Sequence, residues 1–174
     1  MPASRYRKPA TSLCPQARHS KSVRQSNEGR TVIDTDTYIP YFLVAVNNPL
    51  SRGASQHYLE KFGVGIVEWR VISMLATEPG IQAARICSVI SLDKGATSRA
   101  LNRLQELGYT EFKALPTDPR KRVWWLNERG YDLHDRLIDI ALERERALIA
   151  DADPDDLEAF LRVMRIMRRN VEHI

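Results

Sequence analysis

Residues 93–104 read Asp-Lys-Gly-Ala-Thr-Ser-Arg-Ala-Leu-Asn-Arg-Leu. At a helical period, Thr97, Ala100, Leu101, Leu104 and Leu107 share one face, and Ser98, Arg99, Asn102 and Arg103 stand opposite. The second group has the chemistry of base and phosphate recognition. An arginine can bridge O6 and N7 of guanine, and an asparagine N6 and N7 of adenine. Lys94 and Ser98 suit phosphate contacts, while Gly95 and Ala96 are small enough to let a backbone come close. A charged helix face is more often simply solvated, so the surroundings decide. A second basic group lies downstream, where Pro116-Thr117-Asp118-Pro119 is turn chemistry followed by Arg120, Lys121 and Arg122. Arg120 is suited to a narrow minor groove, where negative potential is concentrated. Asp118 would repel phosphate, and its expected work is to hold Arg120 or a neighbouring arginine; the plainer reading is an Asx-turn residue.

Other chemistries find no support. Cys14 and Cys87 fit no metal-ligand spacing, and His19, His57, His134 and His173 are scattered. His57 and Ser98 form no nucleophilic set with an acid, and no phosphate-binding loop or dinucleotide fingerprint is present. No metal site, cofactor or catalytic activity is expected. No apolar run approaches the ~18–20 residues of a membrane span, and no signal-peptide core follows the basic first residues. The expected location is the cytoplasm, in association with the nucleoid.

The net charge of +4 is unevenly spread. Residues 1–34 carry seven basic and two acidic side chains, and residues 94–122 carry seven basic and three acidic, so the rest of the chain is net acidic. Phosphate binding depends on such local concentration. Residues 1–34 lack a hydrophobic period and are expected to be a disordered basic tail. It could add nonspecific DNA affinity, or be a dispensable leader.

The elements that must position these groups follow from the apolar pattern. Residues 38–62 predict a helix of roughly 37 Å, with Pro40 suited to its first turn and Pro49 predicting a kink or break. Helices are predicted at 68–77 and 82–90, then the helix that Asp93 caps and Gly108 ends. Strands are predicted at 109–114 and 122–126, with Trp124 in the core and Trp125 partly exposed. Two more helices follow, one capped by Asn127 and one opening at Asp153-Pro154-Asp155-Asp156. The fold class is mainly α with a small β-wing: a winged helix-turn-helix at 66–126. It is flanked by an N-terminal helical region at 35–65 and C-terminal helices at 127–174. The apolar stripes on those flanking helices must bury against something, and a second copy would do so. A symmetric dimer presents two recognition helices to a pseudo-palindromic site.

Over residues 38–173 the chain resembles the MarR family of bacterial transcriptional regulators. The resemblance rests on Glu68-Trp69-Arg70-Val71-Ile72, on Asp93-Lys94-Gly95-Ala96-Thr97-Ser98-Arg99, and on Leu104-Gln105-Glu106-Leu107-Gly108-Tyr109. It continues with Asp118-Pro119-Arg120, matching the family's Asp-x-Arg, and Leu126-Asn127-Glu128-Arg129-Gly130, matching its Leu-Thr-Glu-Lys-Gly. It implies a homodimer that represses, or less often activates, nearby genes, and a small ligand, often a phenolic or other aromatic acid, that weakens DNA binding. Asn127 for Thr, Cys87 for a small residue, Pro49 within a normally continuous helix, and residues 1–34 depart from the pattern.

Tyr38, Tyr41, Trp69 and Arg70 could surround an aromatic carboxylate with Arg70 as counter-ion, and Trp125 could line the same cleft; plain core packing is the simpler reading. The alternative switch is thiol oxidation at Cys87 or Cys14. Against it, the family's oxidation-sensing members carry their cysteine near the start of the long helix, where this chain has none. A winged helix serving as scaffold for an enzyme or a protein-interaction module is the reading from another class; no catalytic constellation supports it.

Overall fold

The computed structural model describes residues 22–174, so Cys14 and most of the basic tail lie outside the described residues. The chain divides into two compact units, residues 1–53 and 54–174.

In the first unit, residues expected to lack regular structure form a hairpin. Strand β1 (Val23–Gln25) pairs antiparallel with β2 (Thr31–Ile33), placing Val23 opposite Ile33. The connection closes on Ser26, whose backbone N–H donates to the Arg30 carbonyl (2.8 Å) and whose Oγ accepts from the Arg30 N–H (3.1 Å). Gly29 takes the left-handed conformation that the turn needs. With strands of three residues, the apolar alternation is too short to stand out from a polar, basic background.

Helix α1 (Ile39–Phe62) runs through Pro49 without a break, so of the kink or break that the sequence predicts, the break does not occur. A proline removes one backbone donor and crowds the carbonyl four residues before it. Here that residue, Ala45, is exposed, so water can take up the freed carbonyl. Tyr41, Phe42, Leu43, Val44 and Val46 are all exposed large apolar residues of this helix.

The second unit is built around α2 (Ile66–Thr77) and α4 (Lys94–Glu106), with α3 (Ala83–Ile90) between them. Helix α2 starts two residues earlier than its apolar pattern suggests, because Glu68 reaches back to accept from the Gly65 N–H (3.0 Å). Val71, Ile72 and Leu75 of α2, Ile86 of α3, and Leu101 and Leu104 of α4 are at most 1 % exposed and make one core. Burying each such side chain is worth about 1.5–3 kcal/mol. Trp124 and Leu126 close this core from the sheet, and Leu133 and Leu137 from α5 (Glu128–Leu148).

The sheet has three antiparallel strands in the order β3 (Ile81–Gln82), β5 (Asp118–Leu126), β4 (Thr110–Leu115). Strand β3 has only two residues, too few to show a period. It is set by Gly80, whose N–H donates to the Trp124 carbonyl (2.9 Å), and by pairing of Ile81 with Trp124. Strand β5 begins at Asp118, so the turn expected over residues 116–119 narrows to Pro116 and Thr117. The register then breaks: Ala114 faces Arg122 but Leu115 faces Asp118. Pro119, Arg120 and Lys121 thus have no partner on β4, which is where a proline is tolerated in a strand.

Helix α6 (Pro154–Asn170) opens on Asp153, which accepts from the Asp155 N–H (2.8 Å), and ends in a 3₁₀ turn over Val171–His173. It has no buried residue, and Phe160, Leu161, Val163 and Ile166 are exposed. Among the described residues, no helix is long and apolar enough to cross a membrane, and no cluster of three or more potential metal-ligating side chains occurs.

Two outcomes test this packing. Tyr58 is 1 % exposed, and burial raises its hydroxyl pKa above the ordinary 10.0, with Arg144 acting weakly the other way. The unfolded chain therefore releases this proton first as pH rises, so stability is intact below pH 10 and declines above it. In urea titrations between pH 8 and 11, Tyr58→Phe should lose less stability over the alkaline part than the parent. Gly130, in the first turn of α5, has the Tyr109 carbonyl where a Cβ would stand. Gly130→Ala should cost about 1–3 kcal/mol in the same titrations.

Candidate nucleic-acid interface

The Asp93 carboxylate accepts from the Ala96 N–H (2.8 Å) and starts α4 at a defined residue. With the start fixed, burial fixes the rotation. Thr97, Ala100, Leu101 and Leu104 are buried, whereas Lys94, Gly95, Ser98, Arg99, Asn102 and Arg103 are exposed and Ala96 is half-buried. Thr97 is core, as its register implies. Its hydroxyl donates to the Asp93 carbonyl (3.1 Å) and lies 3.2 Å from the Cys87 thiol, which donates to it. Cys87 is thus a half-buried packing residue that ties α3 to α4.

Asp118 holds the wing as the sequence suggests, and does so twice. Its Oδ1 accepts from the Arg120 backbone N–H (3.1 Å) as an Asx-turn and from Arg120 Nε (3.4 Å). The Lys121 ammonium stands 4.0 Å from Oδ2. The Arg120 side chain is 94 % exposed, so this pair orients more than it stabilises. Arg122 is held differently, its guanidinium carbon 4.0 Å above the Phe112 ring, which in turn packs on Trp124 at 5.0 Å. Among the described residues, Lys94, Arg99, Arg103 and Arg122 have no ion pair, so no described carboxylate neutralises their charge.

A cleft of about 370 Å³ brings part of this set together, while Lys94, Gly95, Arg99 and Arg103 are not among the residues that line it. Ser98 and Asn102 of α4, Arg120, Lys121 and Arg122 of β5, and Gln82, Ala83 and Ala84 at the start of α3 line it. The α3 residues and Phe112 escape the sequence reading. Gln82 and Ala84 carry no charge to mark them, and Phe112 shows itself only once its strand is paired with β5. Equally unmarked is the Glu78–Arg85 pair, in which Arg85 donates from Nε (2.9 Å) and Nη2 (2.7 Å) to the two carboxylate oxygens. These hydrogen bonds hold the Glu78 carboxyl below its usual range. The pair fastens α3 to the end of α2.

Of the candidate ligand residues, Tyr38 and Tyr41 belong to the first unit, and Trp69, Arg70 and Trp125 to the second. Tyr38 and Tyr41 meet edge to face at 5.2 Å. Trp69 stacks on His134 (5.9 Å) and meets Tyr58 edge-on (6.1 Å), with Arg70 next to it in α2. Trp125 stands instead against Gly80 and under the Lys113 ammonium, 5.6 Å from the ring centre.

Residues 62–121 match the model of the MarR family. An uncharacterised HTH-type transcriptional regulator of Bacillus subtilis, YwoH, is 26% identical over 108 residues, which are 62% of this chain and 78% of that protein. The crystal structure of a MarR/EmrR family transcriptional regulator from Acinetobacter sp. ADP1 superposes with a TM-score of 0.75 at 29% identity, covering 82% of this chain and all of that one. The DNA complex of MepR from S. aureus shares the fold, with a TM-score of 0.68 at 17% identity over 75% of this chain and 96% of its own.

Removing the Asp118 carboxylate should leave the fold intact and free Arg120. Asp118→Ala is expected to shift the thermal midpoint by no more than a degree or two, while weakening DNA binding about three- to tenfold in fluorescence anisotropy.

Proposed function

We propose, on the premise that this chain belongs to the MarR family of DNA-binding transcriptional regulators, that it is a homodimeric repressor bound to a pseudo-palindromic operator. The observation that carries this reading is the single cleft joining the outer face of α4 to the arginines of β5. Asn102 in this cleft and Arg99 on the same exposed face of α4 read base edges, with Arg103 beside them. Lys94 and Ser98 take backbone phosphates, and Gly95 and Ala96 let the backbone approach. Arg120, oriented by Asp118, enters the minor groove, with Lys121 and Arg122 on the flanking phosphates.

Dimerisation is supported by the apolar residues that one chain leaves exposed on α6 and on α1. In a dimer, the N-terminal helical region (35–65) and the C-terminal helices (127–174) would form the interface, with residues 66–126 binding DNA. A small aromatic or phenolic acid that releases the operator is supported by the half-buried rings of Trp69 and His134, packed with the buried Tyr58, and by Arg70, which follows Trp69 in α2. Such a regulator works in the cytoplasm.

Purified protein should prefer DNA from upstream of its own gene to random DNA at moderate salt, with an affinity that falls steeply as salt rises. Arg99→Ala should cost about 1–3 kcal/mol and relax preference at one base position. Arg120→Ala should weaken all sequences more evenly and lower the salt slope by about one. Equal binding to the upstream and random fragments would refute the reading.

A further inference from the structure

A second group of unneutralised cations lies at the other end of α4. Lys61 and Phe62 end α1, Tyr109 follows the Gly108 corner, and Arg129, Asp132 and Arg136 come from the first turns of α5; these residues line a cleft of about 340 Å³. The Arg136 guanidinium carbon sits 4.8 Å above the Phe62 ring, and that of Arg129 sits 5.4 Å above Tyr109. Among the described residues, none of Lys61, Arg129 and Arg136 has a carboxylate within ion-pair distance, and Asp132 has no cation within it. The nearby Asp135 carboxylate is turned to His134 (2.9 Å) instead.

Three like charges around one small cleft repel one another, and a folded chain usually relieves this with its own carboxylates. Here the restraint comes from two aromatic faces, which hold guanidinium groups in place without cancelling their charge. Asp132 offsets only one of the three. The volume is that of a small-molecule site, and the site is built on helix ends instead of mobile loops.

We propose that this cleft binds a small multivalent oxyanion, of the phosphate-ester or polycarboxylate kind. Lys61, Arg129 and Arg136 supply the charge-assisted hydrogen bonds. The Arg129 guanidinium lies against Gly108, the residue that ends the recognition helix, so the ligand would sit at the corner where α4 turns into β4.

The test is calorimetric titration of the full chain at low ionic strength with inorganic pyrophosphate and, separately, with citrate. To remove the DNA face as a competing anion sink, the titrations are repeated in an Arg99→Ala, Arg120→Ala background. Saturable binding of one anion per chain should survive in that background. It should weaken about fivefold in Arg129→Gln and in Arg136→Gln, and tighten about threefold in Asp132→Asn. The better of the two probes identifies phosphate or carboxylate chemistry. The gain in Asp132→Asn is a readout that partial unfolding would not give. Absence of saturable binding overturns the proposal. So does binding that vanishes in the Arg99→Ala, Arg120→Ala background and persists in Arg129→Gln and Arg136→Gln. Operator binding is measured separately, so either result leaves the reading of the DNA face standing on its own evidence.

Discussion

The direction of every polar side chain on the exposed face of α4 depends on the burial of the opposite face. Thr97, Ala100, Leu101 and Leu104 are between 0 and 2 % exposed, and the last three share one core with Val71, Ile72 and Leu75 of α2. The backbone hydrogen bonds within a helix do not restrain its rotation about its own axis. Turning α4 by one residue, about 100°, would lift leucines into water and bury arginines. The hydrophobic contact therefore sets the direction in which Ser98, Arg99 and Asn102 point, and the Asp93 cap sets their height along the axis. Aiming polar groups through a buried apolar stripe is more secure than doing so by polar contacts, because water and salt compete little for the stripe.

The wing uses a different principle. Its base is rigid, with Trp124 in the core and Phe112 packed on it. Its outer part has no register partner on β4 over Pro119–Lys121, and Asp118 steers the basic side chains there. A groove whose width varies with sequence is better met by such a segment than by a stiff one.

Helix α4 was legible in the sequence to the residue, because its cap, its stripe and its terminal glycine agree on one register. Thr97 could be placed in the core for that reason, although a threonine amid Ser98 and Arg99 invites assignment to DNA. What the sequence concealed was short or depended on distant partners. Strand β3 and the hairpin of β1 and β2 have two or three residues each, below the length at which alternation is visible. The start of α3 enters the cleft only because Ile81 and Gln82 pair with β5, a contact across some forty positions. The unbroken course of α1 through Pro49 likewise depends on exposure, which the local residues do not reveal. The aromatic candidates were identifiable by type, yet type alone could not separate Trp69, which joins Tyr58 and His134, from Trp125, which covers Gly80.

Asn127 occupies a position where the resembling sequences carry threonine, and as helix caps the two are alike. Its side chain, however, is engaged at both ends. Oδ1 accepts from the Gly130 N–H (3.0 Å) to start α5, and Nδ2 donates to the Gly108 carbonyl (3.1 Å) where α4 ends. A hydroxyl is too short to span both, and an aspartate would set a negative oxygen against the Gly108 carbonyl. The amide works as a rivet between the end of α4 and the start of α5. A twist applied along α5 thus reaches α4 through two hydrogen bonds and one planar group, without first deforming the core.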